Sequence, residues 1–370
     1  MPKEILITGA GITGAVCARV LAESGHKITV LEKRPHIGGN CYDYQDANGI
    51  FIHKYGPHIF RTDSENLWAF FSRFTAWQPY RHKVEAYVEG KYLPVPFNLN
   101  SLYKTFGDKA AAVETKLLKR FAYGQKVPVL ELLKENDTDI KALGQFIYDK
   151  IFKNYTLKQW GMGLEELSPQ VAAQVPVIIT KEDGYFTQKY QAIPLNGYTK
   201  LFENLLAHPN ITVKLNTPFK HGDEKGFDEV IYTAPIDEFF GFKYGALPYR
   251  SLTFKAETLP CSGFKQNTAV VNYPNDYDYT RVTEYKHFLP VKTDKTVLVY
   301  ECPLAYKQGE NEPYYPVPAA ANEELYKKYL AEAARIKNVH FAGRLGGYKY
   351  YNMANAALDA LSLADRIKKE

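Results

Sequence analysis

Ile5-Leu6-Ile7-Thr8-Gly9-Ala10-Gly11-Ile12-Thr13-Gly14 opens the chain, and a second apolar run ends at Glu32. The order predicts strand, glycine turn, helix, strand and acid. The three glycines act mechanically, since Gly9 makes the tight turn, Gly11 lets backbone approach a pyrophosphate, and Gly14 lets the helix pack closely on the strand. The helix N-terminus then offers unpaired N–H groups and a positive dipole end to phosphates. Glu32 follows Gly14 by eighteen positions, at the end of the second strand, where a carboxylate can accept both hydroxyls of an adenosine ribose. A glycine-rich turn without function leaves Glu32 unexplained, so the stretch reads as a dinucleotide site on a Rossmann-like α/β fold.

Lys33, Arg34, Pro35, His36, Ile37, Gly38, Gly39 and Asn40 come next. A second glycine pair so close to the ribose acid lets more backbone pass beside an extended cofactor. This spacing resembles the FAD-binding fold of flavin monooxygenases and amine oxidases, in which an arginine and a glycine pair follow the acid. The resemblance implies FAD rather than NAD, with Arg34, Gly38, Gly39 and Asn40 among its contacts.

Bulk properties fit a cytoplasmic enzyme of two or three domains: 370 residues, 45% apolar and 24% charged. Cys17, Cys41, Cys261 and Cys302 are far apart and match no metal spacing, which argues against a metal site. Cys17, on the expected first helix, suits a small buried apolar role. The chain opens directly into a core strand without a basic, apolar leader, and no apolar run reaches bilayer length, so no membrane insertion is expected. A net charge of +5 without a dense basic stripe points to anionic small molecules rather than nucleic acid. The 29 tyrosines suit pockets for sugars and bases, because each offers a flat apolar face and a polar tip.

The pattern changes along the chain. From 100 to 170 helix formers dominate and predict a helical lid or insertion domain. A helix from Gly197 and strands at Ile211 to Leu215, Phe227 to Ala234 and Val339 to Ala342 return to the cofactor domain, which is therefore discontinuous: 1–82, 193–240 and 325–370. The short alternating runs between Arg250 and Tyr300 predict an antiparallel β-sheet substrate domain, assigned to 83–99, 171–192 and 241–324. A last helix is expected from Met353 to Ile367.

The runs Gly56-Pro57-His58-Ile59-Phe60, Pro94-Val95-Pro96-Phe97-Asn98, Tyr155 to Gly161, Tyr185-Phe186, Tyr279-Thr280-Arg281, Glu312 to Pro316, Gly343-Arg344-Leu345 and Tyr348 to Met353 are ordered and spread over nearly the whole chain. Together they resemble the UDP-galactopyranose mutases. That resemblance implies an FAD enzyme, often a homodimer, that contracts a sugar ring without net oxidation. Reduced flavin, kept so by an external reductant, attacks the anomeric carbon through N5 and forms a flavin–sugar adduct while the nucleoside diphosphate leaves; ring opening, closure and return of the diphosphate follow.

The resemblance also distributes roles. The helix at Met353, with Gly343, Arg344, Asn352 and Met353, lies against the flavin and stabilises its anionic reduced ring. His58 and Arg61 lie near the isoalloxazine. Tyr155, Trp160, Tyr185 and Phe186 wall the uracil and ribose, and Asn98 joins the substrate site. Arg281 holds the diphosphate as a fork of fixed donors, helped by the hydroxyls of Tyr314 and Tyr350. Asn352 is equally readable as a helix cap, and Tyr314 and Tyr350 as sheet packing.

Three positions depart from the usual pattern. Gln174 stands where a second diphosphate arginine is usual, Arg61 replaces a histidine, and Asn352 replaces an aspartate. The last two changes add a positive charge and remove a negative one beside the chemistry, and are expected to compensate in part for Gln174 and to reshape the pocket around the sugar C2 or C6 substituent. UDP-galactopyranose is the first substrate on this reading, with UDP-N-acetylgalactosamine or a dTDP-6-deoxyhexose as alternatives. The other classes left open are an FAD amine oxidase or desaturase on the same fold, and a noncatalytic sugar-nucleotide binder.

Overall fold

Five parallel strands form the sheet that carries the glycine turn, in the order Ile211–Lys214, Lys27–Leu31, Glu4–Thr8, Glu229–Tyr232 and Val339–Phe341. The computed structural model describes residues 1–163 and 176–369. Ile5, Leu6 and Ile7 are fully buried, as a strand covered on both faces must be. The helices Ile12–Glu23, Gly197–Leu206 and Met353–Lys369 share one apolar core with this sheet. The first and last contribute Ala15, Ala18, Ala22, Ala357, Ala360 and Ala364, small enough for close helix approach, and Cys17 Sγ lies 3.4 Å from the Ala360 carbonyl oxygen. Three separate stretches of chain therefore build one sheet, and the strand order reverses beside Glu4–Thr8. Open parallel sheets bind ligands in the crevice at such a reversal.

A second, seven-stranded sheet runs Tyr315–Pro316, Tyr249–Pro260, Lys295–Ala305, Arg281–Glu284, Val270–Asn272, Val84–Val88 and Lys91–Val95. It is antiparallel as expected except at one pairing, where Val84–Val88 runs parallel to Val270–Asn272. These two strands lie far apart in the chain and no hairpin joins them, so local turn signals carry no trace of the pairing. A three-stranded sheet joins Phe60–Thr62, Tyr190–Pro194 and Trp77–Pro79. The boundary drawn between 192 and 193 falls inside Tyr190–Pro194, and we propose a domain limit after that strand instead.

Helices Leu99–Phe106, Ala110–Arg120, Val129–Leu132, Thr138–Ile147 and Lys153–Trp160 fill the region expected to be helical. Lys126–Val127 departs from it, pairing as a short strand with Val177–Ile178. A π turn over Tyr148–Phe152 shifts the register just before Lys153–Trp160, and such turns often accompany functional sites. No helix among the described residues is long and apolar enough to cross a membrane.

Candidate active site

The glycine turn opens into a cleft of about 270 Å³ lined by Gly9, Gly11, Gly14, Glu32, Arg34, Gly38, Gly39 and Asn40. A Cβ on Gly14 would run into the Gly9 carbonyl, and one on Gly39 would stand 2.8 Å from Gly11 Cα. The two glycine loops thus touch, and Gly38 N–H donates to the Ala10 carbonyl at 2.9 Å. At Gly11 a Cβ would meet nothing in the protein closer than 3.7 Å. The absent side chain there leaves room for a ligand rather than for the fold. Helix Ile12–Glu23 starts at Gly11 with no side-chain cap, so its first N–H groups face the cleft unclaimed by a cap.

Glu32 is buried, and its carboxylate accepts from Ala10 N–H at 2.8 Å and Arg34 N–H at 2.9 Å. A carboxylate has about four acceptor positions, so two remain for ribose hydroxyls. The Arg34 guanidinium donates to Asn40 Oδ1 and Glu312 Oε2, both at 3.0 Å, and lies 4.5 Å over the Tyr55 ring. These contacts lock the second glycine loop against the segment carrying Tyr314. Glycine loops, an uncapped helix and a ribose acid in one elongated cleft fit a dinucleotide cofactor.

A larger cavity of about 590 Å³ adjoins it. Asn40, His58, Tyr314, Arg344, Tyr351, Asn352 and Met353 line both spaces, so one end of a bound dinucleotide and the contents of the larger cavity meet there. Arg344 braces this junction by donating to the carbonyls of Tyr314 at 3.2 Å and Tyr351 at 2.7 Å. Asn352 Oδ1 accepts from Asn355 N–H at 2.9 Å, which makes it the cap of Met353–Lys369 and aims that helix start at the junction. His58 Nδ1 lies 2.8 Å from the Gly56 carbonyl. Burial, aided by neighbouring His53, Arg344 and Arg281, pulls the His58 pKa down to about 3, so its imidazole is neutral.

The larger cavity is also lined by Arg61, Tyr155, Trp160, Tyr185, Phe186, Arg281 and Tyr350. Trp160 is set edge-on to Tyr350 at 5.5 Å and lies 6.2 Å from Tyr315. Arg281 Nε lies 3.1 Å from Glu301 Oε1 without hydrogen-bond alignment, and Glu301 is 2% exposed. Burial opposes the Arg281 charge, but Glu301 and the surrounding phenols outweigh it and hold its pKa well above the ordinary value. Glu301 itself is raised, because burial exceeds the pull of Arg281. Burial also raises the pKa of Tyr155 and Tyr314, which keeps both phenols protonated as donors.

Some expected positions fall elsewhere. Asn98 is 3% exposed and caps Leu99–Phe106, its Oδ1 accepting from Ser101 N–H at 3.0 Å and its Nδ2 donating to Asp183 at 3.0 Å. It lines neither space. Gly343 packs against Thr13 of the first helix instead of lining the cleft. Gln174 lies outside the described residues. Glu301, Tyr315 and Glu312 carry no role that the sequence alone assigns. For Glu301 a signal exists, since it is a lone acid closing the apolar run from Val297.

The chain is similar to known sugar-nucleotide mutases over nearly its whole length. A UDP-galactopyranose mutase family model matches residues 150–350, and an NAD(P)-binding Rossmann-like model matches residues 7–74. A probable UDP-galactopyranose mutase of Klebsiella pneumoniae is 36% identical over 98% of this chain and 94% of its own length. A dTDP-fucopyranose mutase of Escherichia coli is 34% identical over 98% and 97%. A crystal structure of a reduced UDP-galactopyranose mutase superposes with a TM-score of 0.76 at 17% identity, covering 99% of this chain and 95% of the other.

Proposed function

The chain belongs to the UDP-galactopyranose mutase family, and from that premise we propose that this isomerase is FAD-dependent and converts UDP-galactopyranose to its furanose form and back. The meeting of the two spaces at His58, Asn352 and Met353 supports the reading, because a dinucleotide in the cleft would have its far end against whatever fills the larger cavity. Bound in reduced form, FAD would supply N5 as a nucleophile toward the anomeric carbon.

The protein's own part follows from its contacts. Glycine loops and the start of Ile12–Glu23 hold the pyrophosphate of the cofactor, and Glu32 holds its ribose. The start of Met353–Lys369 presents a positive dipole end that favours negative charge on the ring. Arg281 keeps the departing diphosphate in place with charge-assisted bonds, assisted by Tyr314 and Tyr350. Trp160, Tyr155, Tyr185 and Phe186 stack around base and ribose. Neutral His58 at the junction contributes no charge of its own.

A second substrate reading is dTDP-6-deoxyhexose, favoured by similarity to the dTDP-fucopyranose mutase. Both are tested by incubating the flavin-loaded protein with each sugar nucleotide before and after dithionite. A mutase forms the furanose only when prereduced and consumes no reductant per turnover. Oxygen consumption with peroxide formation would instead identify an oxidase.

A further inference from the structure

The larger cavity is lined by four cationic side chains, Arg61, Lys126, Arg281 and Arg344, and among the described residues by one carboxylate, Glu301. Of the four, Arg281 forms an ion pair among the described residues, while Arg61, Arg344 and Lys126 have neutral hydrogen-bond partners there. Arg281 faces Glu301 at 3.1 Å, Arg344 donates to two carbonyls, and Lys126 donates to Thr187 Oγ1 at 3.2 Å from an exposed position. The Arg61 guanidinium lies against Phe186, 3.8 Å from the ring centroid, and its hydrogen-bond partner is the neutral Gln188 Oε1 at 3.3 Å. Among the described residues it forms no ion pair, although burial weakens its hydration and opposes its charge. A half-buried, stacked guanidinium without a counter-ion among the described residues is suited to an anion, because stacking holds its fork in one plane.

Position selects the anion. Arg61 stacks on Phe186, which packs against both Tyr185 and His82, and Arg61, Tyr185, Phe186 and Arg281 line the same cavity. Resting on the mutase reading above, we propose that Arg61 is a second guanidinium for the substrate diphosphate, so that a dianion is held between one cation balanced by Glu301 and one that is not. Phe186 then serves twice, walling the nucleoside and orienting the Arg61 fork.

The test measures binding of UDP, UMP, uridine and dTDP to the oxidised, FAD-loaded protein by titration calorimetry, for wild type, Arg61→Gln and Arg61→Lys. Loss of one charge-assisted contact predicts UDP and dTDP binding weaker by about ten- to a hundredfold in Arg61→Gln. UMP should lose less, uridine nothing, and Arg61→Lys should recover part of the loss with a steeper salt dependence than Arg61→Gln. Unchanged UDP binding with altered discrimination among sugar nucleotides would assign Arg61 to the sugar and overturn the proposal. Equal weakening of uridine and UDP would also overturn it, by showing that only the Phe186 stack was lost. A wild-type protein that binds neither UDP nor dTDP would instead bring down the mutase reading, and this inference with it.

Discussion

Arg281 and Glu301 show how a single buried pair sets the strength of an anion site. The guanidinium is pinned by an acid it meets without full hydrogen bonding, which leaves its remaining donors for a ligand. Arg281→Lys replaces the fork with a point charge and should weaken UDP binding about tenfold or more, while leaving the flavin spectrum unchanged. Glu301→Gln removes the counter-charge from a cation that is a quarter exposed and should lower stability by about 1 to 3 kcal/mol, read as a fall in the urea midpoint that UDP partly restores. Gly14→Ala forces a methyl group into the Gly9 carbonyl. The expected product is a folded or marginal protein purified without visible flavin absorbance.

Helix Met353–Lys369 is the element on which the junction depends. Asn352 caps it through Asn355 N–H, so Asn352→Ala should cost about 1 kcal/mol and Asn352→Asp almost nothing, as measured by urea unfolding. That helix is legible in the sequence because its apolar residues recur at helical spacing after a polar cap. The glycine turn and Glu32 are legible for the same reason: the chemistry and the spacing lie within one local stretch. The parallel pairing of Val84–Val88 with Val270–Asn272 is not, since it joins segments that no turn connects. Asn98 is not decided by sequence, because a polar residue in a matched run can serve the helix that follows it as readily as a substrate. Glu301 escapes because its meaning depends on Arg281, which reaches it only once the strands Arg281–Glu284 and Lys295–Ala305 pair.

At the scale of the molecule, the region between the cofactor sheet and the seven-stranded sheet buries histidines that must be neutral. His53 is 1% and His82 4% exposed, and burial pulls both pKa values down to about 3. A depressed folded value gives stability that is full above the ordinary histidine range and lost as pH falls, because the unfolded chain then takes up protons that the folded one refuses. Each should cost about 1.4 kcal/mol per pH unit between roughly pH 6 and pH 4. Urea midpoints measured across that range should fall steeply, and a His82→Phe variant should show a shallower slope. The sheet assembled from three stretches of chain has a further outcome during synthesis. A ribosome-bound nascent chain that has not yet released Val339–Phe341 and Met353–Lys369 displays the glycine loop beside an open sheet edge, without the wall that completes the cleft. On the flavin reading such a chain should not yet retain the yellow prosthetic group, and loading is expected only when translation is nearly over.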